Sequence, residues 1–177
     1  GAVMHFKPSL PDRVSTPRLT LARPSLAHVP PMAVLANNAR IHQVLSRLPH
    51  PYSESHGREF VTTIARGPTE HAWAILQDGT FIGTIGLHIQ PARAPELGYW
   101  LGEPHWGRGF ATEAGQAVVT AARAAGARGL HARALVENTA SRNVLTKLGF
   151  IEIGQSVDAE GTLAGRKIAL MRIAFEP

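Results

Sequence analysis

The chain has no cysteine. Disulfides, thiolate metal sites and a cysteine acyl-enzyme are excluded together, and the composition suits a reducing, cytoplasmic setting. Long hydrophobic runs are missing too: nothing approaches the ~18 apolar residues that signal a membrane span, so no membrane partner is expected. The N-terminal GAVMHFKPSLPDR lacks the basic segment and apolar centre of a secretory leader. Its first three residues, ahead of Met4, read as a cloning remnant. Nine histidines are present, but without H-E-x-x-H or another tight ligand spacing, so no metal is expected. The formal net charge is +5, yet the arginines are dispersed, with neither a run of like charges nor an aromatic–basic pattern. That argues against nucleic acid as partner and for a small, localised anion.

What is present fits one domain across residues 1–177, large enough to bury a real core. PRLTLARP (17–24) reads as a strand fenced by prolines. Helical stretches follow over 25–47, broken or delayed by Pro30–Pro31, and over 53–66, with the proline-rich loop LPHPYS between them. Asp78–Gly79 marks a tight hairpin. In its second strand Phe81, Ile85, Leu87 and Ile89 fall at period two, leaving Thr84, His88 and Gln90 on the other face. ELGYWLG is a further strand. From Ala111 the spacing turns helical, with Ala111, Ala114, Val118, Ala122 and Ala125 on one stripe ended by Gly126 and Gly129. A strand over 130–136, a helix from the cap Asn138 to about Leu148 closed by Gly149, and strands over about 150–157 and 163–175 complete the chain. The order β-α-α-β-β-β-α-β-α-β-β describes an α/β (α+β mixed) fold. Its strand–helix–strand unit over 96–136 requires parallel strands and a right-handed crossover.

HWGRGFATEA (105–114) sets two glycines at the mouth of the long helix. A helix N-terminus exposes unpaired amides and the positive end of the dipole, where phosphates bind. Gly107 and Gly109 permit close approach, so the amides from Arg108 to Thr112 can form an anion nest, with the Arg108 and Thr112 side chains as further donors. Two glycines alone are equally compatible with a plain strand-to-helix turn. Known phosphate loops do not match: the lysine of G-x-x-x-x-G-K-S/T is absent, and G-x-G-x-x-G fails at Thr112.

ELGYWLGEPHWGRGFATEA resembles the acyl-CoA-binding segment of the GNAT N-acetyltransferases, particularly the branch of the ribosomal-protein N-terminal acetyltransferases RimJ and RimL. Gly109, Phe110 and Ala111 match the second half of the family's Q/R-x-x-G-x-G/A. Trp106 departs from its first position in the manner of that branch, where W-G-x-G-Y/F-A-T/S-E-A is typical. STPRLTLARP and ENTASRNVLTKLGF resemble the same branch. The resemblance implies a central mixed, mostly antiparallel sheet of about six or seven strands with a splayed parallel pair, flanked by about four helices. It also implies acetyl-CoA as acyl donor. Its pyrophosphate would lie on the amides of Gly107, Arg108, Gly109, Phe110, Ala111 and Thr112. Its pantetheine would pair with the splayed strand near Trp100 and Leu101.

Ser141, Val144, Leu145 and Leu148 share one helix face, so Ser141 points at the sheet and its hydroxyl needs a partner. A polar first helical turn is the plainer alternative. The resemblance makes Ser141 the donor to the departing CoA sulfur, since no tyrosine stands between Asn138 and Phe150. Asn138 would contact the pantetheine, with Asn143 and Lys147 as outer contacts.

Without a cysteine nucleophile, a substrate amine is expected to attack the thioester directly in a ternary complex. A backbone amide near Trp100 or Leu101 would stabilise the oxyanion. Glu96, at the start of the splayed strand, is the first candidate for general base and His50 the second. His50, Tyr52, Trp73 and Tyr99 are candidates for the acceptor pocket, although aromatics on strands are commonly core. The acceptor is a protein N-terminus or a small-molecule amine. A non-catalytic acyl-CoA-binding or sensing module on the same fold is the alternative function, and a monomer or a homodimer the expected state.

Overall fold

The computed structural model describes residues 7–176; the three residues read as a cloning remnant lie outside them. Eight strands form one sheet in the order β1-β2-β3-β4-β5-β6-β8-β7. They are β1 (Arg13–Ser15), β2 (Thr20–Ala22), β3 (Glu70–Gln77), β4 (Thr80–His88), β5 (Glu96–Leu101), β6 (Gly129–Leu135), β7 (Ile151–Val157) and β8 (Lys167–Ala174). Every neighbouring pair is antiparallel except β5 and β6. The strand beyond the expected six or seven is β1, a three-residue edge too short to show a period in sequence.

Helices α4 (Phe110–Ala124) and α5 (Thr139–Leu148) cover one face of the sheet. The α4 stripe buries Phe110, Ala114, Val118 and Ala122 against Leu21, Ile75, Ile85 and Leu130. The other face lies under α1 (Val29–Ala36), α2 (Ala39–His42) and α3 (Glu54–Glu59), where Met32, Ile41 and Val61 pack on Ala74, Phe81 and Trp100.

The stretch expected as one helix over 25–47 is divided. Pro30 falls in the first turn of α1, where its missing N–H costs nothing. Asn38 restarts the chain by accepting from the amide of Arg40 at 2.8 Å. The helix expected over 53–66 begins at the cap Ser53 as α3 and widens into a π turn over Phe60–Ile64.

The β3–β4 hairpin carries a bulge that alternation does not announce. Leu76 pairs with Phe81 but Ile75 pairs with Gly83, leaving Ile82 as the extra residue. Phe81 therefore lies on the α1 side while Ile85, Leu87 and Ile89 lie on the α4 side, contrary to their expected common face.

Candidate active site

The mouth of α4 is built by main-chain geometry. After β5 a short turn over Glu103–His105 leads to Trp106, whose indole N–H donates to the Leu101 carbonyl at 2.8 Å. Gly107 and Gly109 adopt φ of +77° and +78°, a left-handed conformation that side chains disfavour. Gly109 caps α4 without a capping side chain, so the first-turn amides stay open. Phe110 is buried and anchors the helix end, and Ala111 packs beside it, so their contribution to any ligand is backbone.

The early STPR turn braces this mouth, a role that the sequence reading does not assign. Thr16 Oγ1 donates to Glu113 at 2.6 Å, and the Arg18 side chain donates to the same carboxylate at 2.7 Å. Arg18 also donates to the Arg108 carbonyl at 2.8 Å and lies 4.5 Å from the centre of the Phe110 ring. Burial works against the Glu113 charge, but the bonds from Thr16 and Arg18 outweigh it and hold the carboxyl below its ordinary range. The Arg108 side chain is exposed, and Thr112 and Lys147 border one open groove along α4.

β5 is fully paired on its β4 side, from Glu96 opposite His88 to Leu101 opposite Gly83. On its β6 side it keeps one registered pair, Glu96 with His131, beside a bond from the His131 amide to the Pro95 carbonyl at 2.8 Å. Beyond that rung the strands part. Gly102 donates to Ile82 of β4, so by alternation the backbone groups of Leu97, Tyr99 and Leu101 face the gap. Trp100 turns its backbone toward β4, so the amide available for an oxyanion is that of Leu101 or Tyr99. The Trp100 side chain packs with Phe81 under α1.

Above the gap, on the α5 side, the Ser141 hydroxyl lies 3.1 Å from the Tyr99 hydroxyl. Asn138 accepts from the Ser141 amide at 3.2 Å, fixing the helix start. Burial pushes the Tyr99 phenol up, against the pull of the Ser141 bond, so the ring stays a proton donor. Tyr99, expected in an acceptor pocket, borders the cavity between the sheet and the α1–α3 layer, while its hydroxyl stands with Ser141. Asn143 and Lys147 are exposed on α5.

On the opposite face a cavity of about 420 Å³ opens between the sheet and the α1–α3 layer. Ala72, Gly86 and Gly98, aligned across β3, β4 and β5, border it. No atom lies within 4 Å of where a Gly98 Cβ would stand, so the cavity reaches the strand itself. Met32, Tyr52, Phe60 and Trp100 make apolar walls. The Tyr52 hydroxyl donates to the Met32 sulfur at 3.4 Å, and burial pushes its phenol up to about 12.

One end of the cavity is polar. Glu70, His88 and Glu96 stand opposite one another on β3, β4 and β5. Glu70 Oε1 lies 2.6 Å from His88 Nδ1, and Arg47 lies 3.7 Å from Glu96 and 4.0 Å from Glu70. Burial pushes the Glu70 carboxyl up, against the pull of its His88 bond. Sequence reading found Glu96 but not Glu70, and His88 only as one polar residue of a strand face.

Two acceptor-pocket candidates fall elsewhere. Trp73 is fully buried in the core and donates its indole N–H to the Pro11 carbonyl at 2.9 Å, so it cannot touch a substrate. His50 is exposed, stacks on His42 at 4.9 Å and does not line the cavity, although its neighbours Pro49 and Tyr52 do. Among the described residues no group of three or more His, Cys, Asp or Glu is placed to hold a metal, and no helix is long and apolar enough to cross a membrane.

Residues 18–151 match the family model described as an acetyltransferase (GNAT) domain. The uncharacterized N-acetyltransferase YoaA of Bacillus subtilis (strain 168) is 38% identical over 87 residues, 46% of this chain and 49% of that protein. The chain thus matches about half the length of this curated relative. RimL, a ribosomal L7/L12 alpha-N-protein acetyltransferase solved with coenzyme A, superposes with a TM-score of 0.81 at 22% identity, covering 94% of this chain and 97% of that one. The microcin C7 self-immunity acetyltransferase MccE, solved with acetyl-CoA and AMP, gives a TM-score of 0.82 at 19% identity, covering 96% and 100%. At these identities the solved structures share the fold.

Proposed function

The chain belongs to the GNAT acetyltransferase family, and from that premise we propose that it moves an acetyl group from acetyl-CoA directly to a primary amine in a ternary complex. The observation that carries the reading is the continuity of two features. The β5 edge, which turns the Tyr99 backbone and the Leu101 amide to the gap, runs into the α4 mouth, where Gly107 and Gly109 leave the first-turn amides free. An extended amide-bearing arm ending in a pyrophosphate matches that sequence of donors and acceptors. RimL and MccE, which share the fold, were solved with coenzyme A and acetyl-CoA.

In this reading the pyrophosphate lies on the amides of Gly107 to Thr112, with Arg108 and Lys147 as flanking cations. The pantetheine follows the β5 edge past Asn138 and Leu101, and the carbonyl receives the Tyr99 amide beside the Ser141 hydroxyl. The Ser141–Tyr99 pair protonates the departing sulfur. The amine approaches through the cavity under α1–α3, so donor and acceptor meet at the gap from opposite faces of the sheet. Glu96 stands at the closed end of that gap, where a carboxylate attracts an ammonium. The acceptor is a protein N-terminus, as RimL's name states for RimL, or a small amine. An α-amine, with reference pKa about 7.7–8.0, sheds its proton more readily than lysine at ~10.4. A cytoplasmic setting and the RimJ/RimL branch are part of the same reading.

Calorimetric titration of acetyl-CoA into the protein tests it, with Gly109→Asp and Gly109→Asn as controls. Both side chains tolerate the left-handed backbone, but only the aspartate opposes an anion. Micromolar binding lost in the aspartate variant and largely kept in the asparagine variant is expected. Absence of binding by the folded protein refutes the donor. Binding without transfer to any amine in a peptide and small-amine panel makes the chain a sensing module.

A further inference from the structure

The polar end of the acceptor cavity contains more chemistry than a counter-charge requires. We propose that His88, held by Glu70, takes the proton that the acceptor ammonium must lose before it attacks; this inference rests on the acetyl-transfer reading above. Three observations carry it.

First, the imidazole is oriented. Its Nδ1 faces the Glu70 carboxylate at 2.6 Å, which places the ring proton on Nδ1 and the lone pair on Nε2. Gln90 donates its side-chain amide to that Nε2 at 3.1 Å, marking it as the accepting nitrogen. Rotating the same amide presents its oxygen instead, so one neighbour serves both protonation states.

Second, the ring is in the right place. His88 lines the cavity and stands directly opposite Glu96, the last residue of β5 before the gap opens. Third, the charges around it divide the work. Glu96 is engaged by Arg47 at 3.7 Å, and Glu70 lies 4.0 Å from the same guanidinium. An entering ammonium replaces Arg47 as the partner of Glu96, leaving His88 to accept the proton. Glu70 from β3, Glu96 from β5, Arg47 from the loop after α2 and Gln90 just beyond β4 surround it, with His56, Glu59 and Arg133 further along the same cavity.

The steps balance. An ammonium N–H bond breaks and its proton passes to Nε2 along water in the cavity, since the register sets His88 three residues along the strand from Tyr99. The freed lone pair forms the N–C bond to the thioester carbonyl. The C–S bond then breaks, and the sulfur takes the second amine proton by way of Ser141 and Tyr99. His88 returns its proton to solvent. Glu70 is a positioning residue, since it acts through the imidazole.

The test compares two amines with the full chain and acetyl-CoA at neutral pH: benzylamine, which arrives protonated, and aniline, which arrives neutral. His88→Gln is expected to lower kcat/KM for benzylamine by about 100-fold, within the range for general base catalysis, and to leave aniline within about threefold. Glu70→Gln produces a smaller loss with the same selectivity, which a purely structural role would not. Acetyl-CoA affinity by calorimetry stays unchanged in both variants. Equal losses on both amines, or a benzylamine-selective loss in Glu96→Gln but not in His88→Gln, overturns the assignment. So does a wild-type protein that binds acetyl-CoA yet acetylates neither amine. Failure to bind acetyl-CoA at all instead removes the reading on which the proposal rests.

Discussion

The hydroxyls of Tyr99 and Ser141 lie 3.1 Å apart although the residues are 42 positions apart in the chain. The strand supplies an aromatic donor that α5 itself lacks, and the helix supplies the small hydroxyl that reaches the gap. If the pair protonates the leaving thiolate, Tyr99→Phe and Ser141→Ala should each lower kcat by about 10–100-fold. The double variant should fall little further, because the two act as one unit. Steady-state kinetics with saturating acetyl-CoA decides this, and an additive double loss separates the two roles.

Gly98 offers a test of the acceptor route. Its Cβ would meet nothing within 4 Å, so the branch point of Gly98→Val clears the sheet and its methyls enter the cavity. KM for the amine is expected to rise roughly tenfold while the dissociation constant of acetyl-CoA and the melting temperature hold. A matching loss of acetyl-CoA binding would place the donor on the wrong face.

The left-handed glycines can be separated from their ligand. Gly107→Ala and Gly126→Ala both impose left-handed backbone strain in open space, the second the more, at φ of +77° and +103°. Each should cost about 1–2 kcal/mol in urea denaturation. Only the Gly107 variant should lose acetyl-CoA affinity as well.

The Glu113 brace predicts a pH dependence. A carboxyl held below its ordinary value contributes stability above the unfolded pKa, near ~4.3 for glutamate. That contribution is lost as pH falls through the lower folded value. Glu113→Gln should therefore melt well below the wild type at neutral pH, and the difference should shrink as pH is lowered beneath about 4.3. Differential scanning calorimetry across that window checks the sign; a constant gap would mean that Glu113 acts by shape alone.

The long helix, the DG hairpin and the glycine mouth were legible because each rests on local pattern: spacing, turn residues and caps. The Ser141 face was legible for the same reason, and its hydroxyl needed a partner that only the tertiary structure identifies. Glu70 was not legible. Counting back from the two-residue turn would set Glu70 opposite Leu87, and the extra residue Ile82 moves it opposite His88. One bulge thus creates the Glu70–His88 pair, and no alternation rule exposes it. Trp73 misled for the opposite reason, since residue type suggested a site where complete burial forbids one.

A continuous sheet has two rims, but this one has four. Past the Glu96–His131 rung, β5 and β6 are rims inside the molecule, walled by α4 and α5. Free strand rims invite another chain to add on; these admit only something slender enough to thread between strands. A ligand that completes the ladder would join two half-sheets now stitched at one point, so slower amide exchange should spread from the gap into strands that the ligand never touches.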